Sequence, residues 1–176
     1  TSEVFDIREY RSGDTSHRIH WKLSAKTDDF MVKEYSLPME RTVLLFLDLH
    51  IGKEEKFTQQ KLDHFLEILA SLSWSMQEQN WHHKVIWWDE QNQMLKEADV
   101  SSEEETFRML EQICSSRVYS KAYEIQELYF RQFGERTEEL GMQLDISGKL
   151  YHAGRCIKVF RQEKLEEDLM EWELEL

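Results

Sequence analysis

The sequence contains few of the residues that separate a chain into independent parts. Of its 176 residues, one is a proline, Pro38, and six are glycines. It has no Pro-rich linker, low-complexity tract or internal repeat. We therefore expect one compact α/β domain at residues 42–176, preceded by an N-terminal appendage at residues 1–41.

Cysteine is equally scarce. The two cysteines are Cys114 and Cys156, and neither belongs to a Cys-x-x-Cys pair. Neither a cysteine-based zinc site nor a disulfide framework is indicated, because both need several cysteines at short spacings. We expect free thiols in a reducing compartment.

Long apolar segments are missing too. The longest apolar run is Val43–Leu47, whereas a membrane-spanning helix needs about 20 apolar residues. Nothing near Thr1 resembles a signal peptide. We expect that this chain does not itself span a membrane.

Positive charge is in deficit, with 22 Lys and Arg against 35 Asp and Glu and a net charge of −13. This balance disfavours nucleic acid, whose binding depends on clustered Lys and Arg. The charge is also uneven. Residues 8–33 hold six cations against four acids, whereas residues 163–176 hold seven acids and one lysine.

Motifs for covalent or nucleotide chemistry are not found. No serine stands in G-x-S-x-G or S-x-x-K, and no Gly-rich phosphate loop is present. Acyl transfer and nucleotide chemistry therefore have no local support. We predict a non-enzymatic chain without a cofactor.

The middle of the chain predicts alternating strands and helices. Thr42–Leu49 is a continuous apolar run, typical of a strand buried on both faces of a sheet. Thr58 is a candidate N-cap for an amphipathic helix that ends near Glu78. Lys84–Trp88 predicts a second strand, and Gln93–Ala98 an antiparallel edge partner.

The second half continues with weaker signals. Ser102 and Glu105 form a capping box for a helix that ends near Cys114, and a further helix stops at Gly134. Residues 136–141 are interpreted as a polar connection, and residues 150–152 and 156–160 as strands. The acidic tail at residues 170–176 alternates apolar and acidic residues, so a one-sided strand and a solvated acidic helix both remain open.

One N-terminal segment, residues 8–35, is unusually dense in Arg, Lys, His and aromatic residues. The Ser12-Gly13-Asp14 sequence predicts a turn. A strand is expected at Val4–Tyr10 before it, and Asp14 is placed to cap a helical turn near Thr15. The following residues fit both helix and strand spacing. We favour a helical turn that leads into a strand at Phe30–Glu34, with Trp21 as a core anchor.

This segment resembles the hallmark of the domain of unknown function 58 family, in which R-x-Y-x-x-G-D is followed by I-H-W-K and a V-K/R-E strand. The matching residues that we single out are Arg8, Tyr10, Arg11, Gly13, Asp14, Arg18, His20, Trp21 and Lys22. The resemblance implies a von Willebrand A-like α/β domain with a mostly parallel sheet flanked by helices. It also implies a MoxR-type AAA+ ATPase as partner, and a membrane-anchored bacterial parent protein with this domain on the cytoplasmic face.

Two roles are open for the cations of the motif. Arg8, Arg11, Arg18 and Lys22 could grip an acidic partner, because the guanidinium fork binds carboxylates with two hydrogen bonds. They could instead pair internally with Glu9, Asp14, Glu34 or the acidic tail. We favour this internal role, because a motif this dense in Arg, Tyr, Asp and Trp more often joins two parts of a fold than forms a docking face. The favoured function is a protein-interaction or assembly module.

A second candidate site follows the predicted central strand. In von Willebrand A domains this position holds D-x-S-x-S, whose oxygen atoms coordinate a divalent metal. Here Asp48 is retained, but His50 and Gly52 replace the two serines. The site therefore looks degenerate, and Asp48 is expected to bond loop amides or water. Two alternatives stay open: a metal-dependent binding domain that uses Asp48, and a hydrolase that uses Asp48 with His50.

Overall fold

The computed structural model describes residues 5–12, 14, 19, 21–35, 42–134 and 141–175. The chain divides into two compact units, unit 1 at Thr1–Arg41 and unit 2 at Thr42–Leu176. Each unit is described by itself.

Unit 1 is a small strand pair with one short helix. Strand β1 (Phe5–Glu9) pairs antiparallel with β2 (Met31–Tyr35), and helix α1 (Trp21–Thr27) lies between them in the chain. Ser24 ties the helix to β2, because its hydroxyl accepts a hydrogen bond from the Met31 amide at 2.9 Å. The helical interpretation of this ambiguous segment agrees with the structure.

Unit 2 contains a six-stranded sheet and four α-helices among its described residues. In chain order these are β3 (Val43–Asp48), α2 (Gln59–Glu78), β4 (His83–Asp89), β5 (Met94–Val100), α3 (Glu103–Cys114), α4 (Ile125–Phe133), β6 (Gly141–Asp145), β7 (Lys149–His152), β8 (Arg155–Val159) and α5 (Leu165–Glu175). A short 3-10 helix, Gln162–Lys164, precedes α5.

The sheet is mixed. Its strand order is β5-β4-β3-β6-β7-β8. Strand β3 is parallel to β4 and β6, whereas the β4-β5, β6-β7 and β7-β8 pairings are antiparallel. The α/β class is confirmed, but the expected predominance of parallel strands is not, because the hairpins at both edges add antiparallel pairs.

Strand β3 lies at the centre and is buried on both faces, as its apolar run predicts. Leu45 and Leu47 belong to the larger core, which includes apolar residues of α2, α3 and α5. Leu44 and Phe46 belong to a smaller core on the other face, where Tyr129 of α4 meets Phe46 edge to face at 5.5 Å. Successive side chains of a strand alternate between faces, so helices cover both sides of the sheet.

The predicted helix ends are confirmed where local chemistry defines them. The Thr58 hydroxyl accepts from the Lys61 amide at the start of α2, and the Ser102 hydroxyl accepts from the Glu105 amide at the start of α3. Helix α4 ends at Gly134, whose φ of 70° is left-handed and therefore favours glycine.

Two segments of the second half could not be assigned from the sequence alone. The predicted polar connection ends at Gly141, which instead begins β6, a strand that pairs with β3 and was not predicted. The acidic tail is a helix, because Leu165 and Trp172 are buried on one face of α5 at helical spacing. Among the described helices, none is long and apolar enough to cross a membrane.

Candidate functional site

The first half of the N-terminal motif is held together by an ion pair. The Arg8 guanidinium donates two hydrogen bonds to the Asp14 carboxylate, both at 2.8 Å. The Arg11 amide donates a third to Asp14, also at 2.8 Å. Both charged side chains are largely buried, with 24% and 12% of their surface exposed. Arg8 therefore pairs within unit 1 and closes the turn that follows β1.

The aromatic residues of unit 1 form an exposed cluster. Phe30 meets Tyr10 edge to face at 6.3 Å and Trp21 at 6.4 Å. The exposed fractions of the side chains are 43% for Tyr10, 62% for Trp21 and 59% for Phe30. The prediction that Trp21 is a core anchor is therefore wrong: Trp21 opens the two-turn helix α1, which has no buried residue. We call these three residues the aromatic surface.

Two cations of the motif stand next to these rings in the sequence. Arg11 follows Tyr10 and Lys22 follows Trp21, and both are exposed. The remaining predicted motif residues, Gly13, Arg18 and His20, lie outside the described residues, as does the helix cap expected near Thr15. The described part of the motif thus combines an internal Arg-Asp pair with an exposed aromatic and basic face.

The second candidate site lies at the carboxyl end of β3. One Asp48 carboxylate oxygen accepts a hydrogen bond from the His50 amide at 3.1 Å. Burial raises the pKa of Asp48, although the His50 amide bond opposes this shift. The His50 ring donates from Nε2 to the Ser120 carbonyl at 3.1 Å. The hydrogen bond to Asp48 therefore comes from the His50 amide, and the ring nitrogen Nε2 bonds a loop carbonyl.

The residues at this end of the sheet do not fit the D-x-S-x-S metal site that the resemblance implies. Gly52 has no side-chain ligand, and His50 presents nitrogen where a hydroxyl oxygen is needed. Within the described ranges, no three His, Cys, Asp or Glu side chains stand close enough to hold a metal ion.

We compared the chain with family models, with curated proteins and with solved structures. A family model described as "Protein of unknown function DUF58" matches residues 6–158. The chain belongs to this family. No curated protein and no solved structure matches it. The DUF58 match covers both candidate sites, because it includes the motif of unit 1 and the strand end at Asp48.

In this DUF58 chain, the strand-end site also contains residues that sequence reasoning missed. Asp145 at the end of β6 pairs in register with Asp48, so two carboxylates end adjacent strands. The Asp145 carboxylate is hydrogen-bonded within the turn that follows β6. It accepts from the Ser147 hydroxyl at 2.7 Å and from the Ser147 amide at 3.0 Å. Predicting β6 would have revealed Asp145, since parallel strands end at one edge of a sheet.

A stacked pair of aromatic side chains lies at the end of the neighbouring strand β4. The Tyr123 ring stacks on Trp88 at 4.6 Å, and both donate a hydrogen bond to the Glu90 carboxylate, at 2.8 and 2.9 Å. Tyr123 and Glu90 are 33 residues apart in the sequence, so spacing does not reveal their bond. The Tyr123 hydroxyl bond lowers the pKa of Glu90. This network joins the end of β4 to the segment before α4.

Proposed function

We propose that this DUF58 chain is a non-enzymatic protein-interaction module that docks on a partner through unit 1. The partner we propose is a MoxR-type AAA+ ATPase, as the family resemblance implies. Unit 2, which we propose to be von Willebrand A-like, supplies the folded domain to which this docking face is joined.

The aromatic surface carries the proposal. Three large rings that touch one another are between 43% and 62% exposed. A group of exposed aromatic residues is more typical of a binding surface than scattered single apolar residues are, because its burial on association is favourable. Tyr and Trp are also enriched among the residues that dominate binding energies.

The position of these rings supports the proposal further. Tyr10 is fixed by its amide, which donates to the Phe30 carbonyl at 2.7 Å. The Arg8-Asp14 pair closes the adjoining turn, so the surface is preorganised and loses less entropy on binding. The exposed cations Arg11 and Lys22 favour a partner surface that is apolar at its centre and acidic at its rim.

One Ser-His hydrogen bond of unit 2 lies in the core and is better explained as structural than as catalytic. Ser73 and His83 are joined by a hydrogen bond of 2.7 Å between Oγ and Nε2. Both residues are buried, with 0% and 1% exposure. Burial also lowers the pKa of His83. A substrate cannot reach this pair, and its contacts join α2 to β4 inside the core.

Replacing Trp21 and Phe30 by alanine together is expected to weaken binding to a purified MoxR-type ATPase at least about tenfold, because two exposed anchors are lost. The dissociation constant is measured by biolayer interferometry with the ATPase in its nucleotide-bound oligomeric form. Circular dichroism establishes that the variant is folded.

The matched control is Phe107→Ala together with Met94→Ala. These residues lie in unit 2 and are 56% and 51% exposed, so the control removes a similar amount of exposed apolar surface. It should leave the dissociation constant within about twofold of the original. Equal weakening by both double variants, or none by the first, would contradict the proposed docking face.

A further inference from the structure

A groove lies between α2 and α5 in unit 2, away from the strand ends. It is lined by Ala70, Ser71, Trp74 and Ser75 of α2 and by Leu169 of α5, and its volume is about 380 Å³. The groove is shallow and open to solvent, so it suits the surface of another chain better than an enclosed small molecule. The groove is therefore large enough to accept side chains of a partner.

One polar group at the wall of the groove has no partner. Ser75 is 3% exposed, and its hydroxyl makes no hydrogen bond among the described residues. A buried hydroxyl without a hydrogen bond is costly and rare in folded proteins. The Ser75 hydroxyl oxygen has almost no solvent-accessible surface, so it is a buried polar group beneath the groove and not a position that a ligand reaches.

The walls around this hydroxyl are apolar. Trp74 lines the groove and is 40% exposed, and Leu169 lines it from α5. A large apolar side chain that remains this exposed beside a groove is consistent with a surface that another chain can cover. The groove therefore offers mainly apolar contacts to a partner.

The negative charge of the two helices favours a basic partner. Helix α5 contains six acids and no Lys or Arg, and α2 contains three acids and one lysine. Glu67 and Glu78 lie four residues before Ser71 and four after Trp74, and Glu166 lies three before Leu169. These spacings place exposed carboxylates on the groove's side of each helix.

We propose that the groove between α2 and α5 binds a basic amphipathic helix of a partner protein. The apolar face of that helix packs on Trp74 and Leu169, and its Lys and Arg side chains pair with Glu67, Glu78 and Glu166. Amphipathic helices commonly bind in apolar grooves of this kind. The site is separate from the aromatic surface of unit 1, which favours acidic partners.

A synthetic peptide tests this assignment with the whole chain. The probe is a helix of Leu and Lys in which Leu recurs every three or four residues, so that one face is apolar and the other basic. Binding is measured by titration calorimetry and located by amide chemical shifts. We expect saturable binding with the largest shifts at residues 67–78 and 165–172.

Two control peptides separate groove binding from simple charge attraction. One has Glu in place of every Lys, and the other has the same composition in an order that is not amphipathic. Both should bind at least about tenfold more weakly than the probe. Equal binding by the scrambled peptide, or shifts that fall outside α2 and α5, would overturn the proposal.

Paired charge reversals supply the matched protein control. Glu67→Lys with Glu166→Lys should weaken probe binding about tenfold, because like charges then face the peptide. Glu54→Lys with Glu111→Lys makes the same change in net charge at exposed positions elsewhere. This second pair should change the affinity for the probe less than about twofold. Equal weakening by the two pairs would overturn the assignment, as would self-association of the chain through this face.

Discussion

Replacing Asp168 by alanine is expected to lower the free energy of unfolding of unit 2 by about 2 kcal/mol. Asp168 is 1% exposed. Its carboxylate accepts from the Arg161 amide at 2.8 Å and from the Arg161 guanidinium at 2.7 and 3.2 Å. These bonds fasten the first turns of α5 to the segment that leaves β8.

The expected loss comes mainly from the amide bond. The Arg161 side chain is 52% exposed, so solvent screens the attraction between the two charges. A charge-assisted bond to a backbone amide is less easily replaced by water when the carboxylate is buried. Asp168→Asn keeps an acceptor and should cost about half as much as the alanine change. Urea unfolding followed by circular dichroism measures both.

The same contacts give this effect a pH dependence. The Arg161 side-chain bond lowers the pKa of Asp168 from 3.8 to about 2. Because the folded pKa lies below the unfolded one, the stabilisation is complete above 3.8 and is lost as the pH falls towards about 2. The difference between the original chain and Asp168→Ala should therefore shrink in acid. Glu167→Ala, at an exposed neighbour, is the control and should change stability little. An Asp168→Ala variant as stable as this control would contradict the account.

Arg8→Glu is expected to unfold unit 1 without unfolding unit 2. The reversal removes both hydrogen bonds to Asp14 and places two carboxylates together in a largely buried position. Breaking such a pair from one side costs about 3 kcal/mol. Unit 1 has only about 40 residues, and units of that size have little stability to lose.

Amide hydrogen exchange measures this result directly. Residues 5–9 and 31–35 should lose protection in Arg8→Glu, whereas residues 43–48 should keep theirs. The control is Arg11→Glu, which makes the same charge change at an exposed side chain and should leave protection intact. Exchanging the two charges, with Arg8→Asp and Asp14→Arg, should restore part of the protection. Unchanged exchange in Arg8→Glu would show that the pair does not stabilise unit 1.

These two variants also separate the roles of the motif cations. Arg8 pairs inside unit 1, so its reversal should abolish partner binding through loss of structure. Arg11 is exposed beside Tyr10, so its reversal should weaken binding while the fold persists. The sequence left internal pairing and partner binding open for both residues, because spacing alone does not reveal which way a side chain points.

Much of unit 2 was predictable because its signals are local. The run at Val43–Asp48 is apolar on both faces, and the caps at Thr58, Ser102 and Gly134 depend on one side chain or one φ angle each. Such features depend only on a few neighbouring residues, so the sequence reveals them. Family membership was equally readable, because the motif at residues 8–35 is long.

The missed elements depend on contacts between distant residues. Strand β6 contains Gly141 and Gln143 and has no β-branched residue, so only its pairing with β3 makes it a strand. Trp21 was assigned to a core because it is a large aromatic residue, but no residue of α1 is buried. Apolar and acidic residues alternate in the tail, which also fits a strand. The helix was not recognised because its buried face begins before the tail, at Leu165.

We propose that the aromatic surface of unit 1 docks on a MoxR-type ATPase. Amide hydrogen exchange of the whole chain, with and without the purified ATPase, tests it most directly. The account predicts added protection at residues 8–12 and 21–32, around Tyr10, Trp21 and Phe30. Protection confined to residues 48–52 and 119–124 at the strand ends, with no change in unit 1, would contradict it.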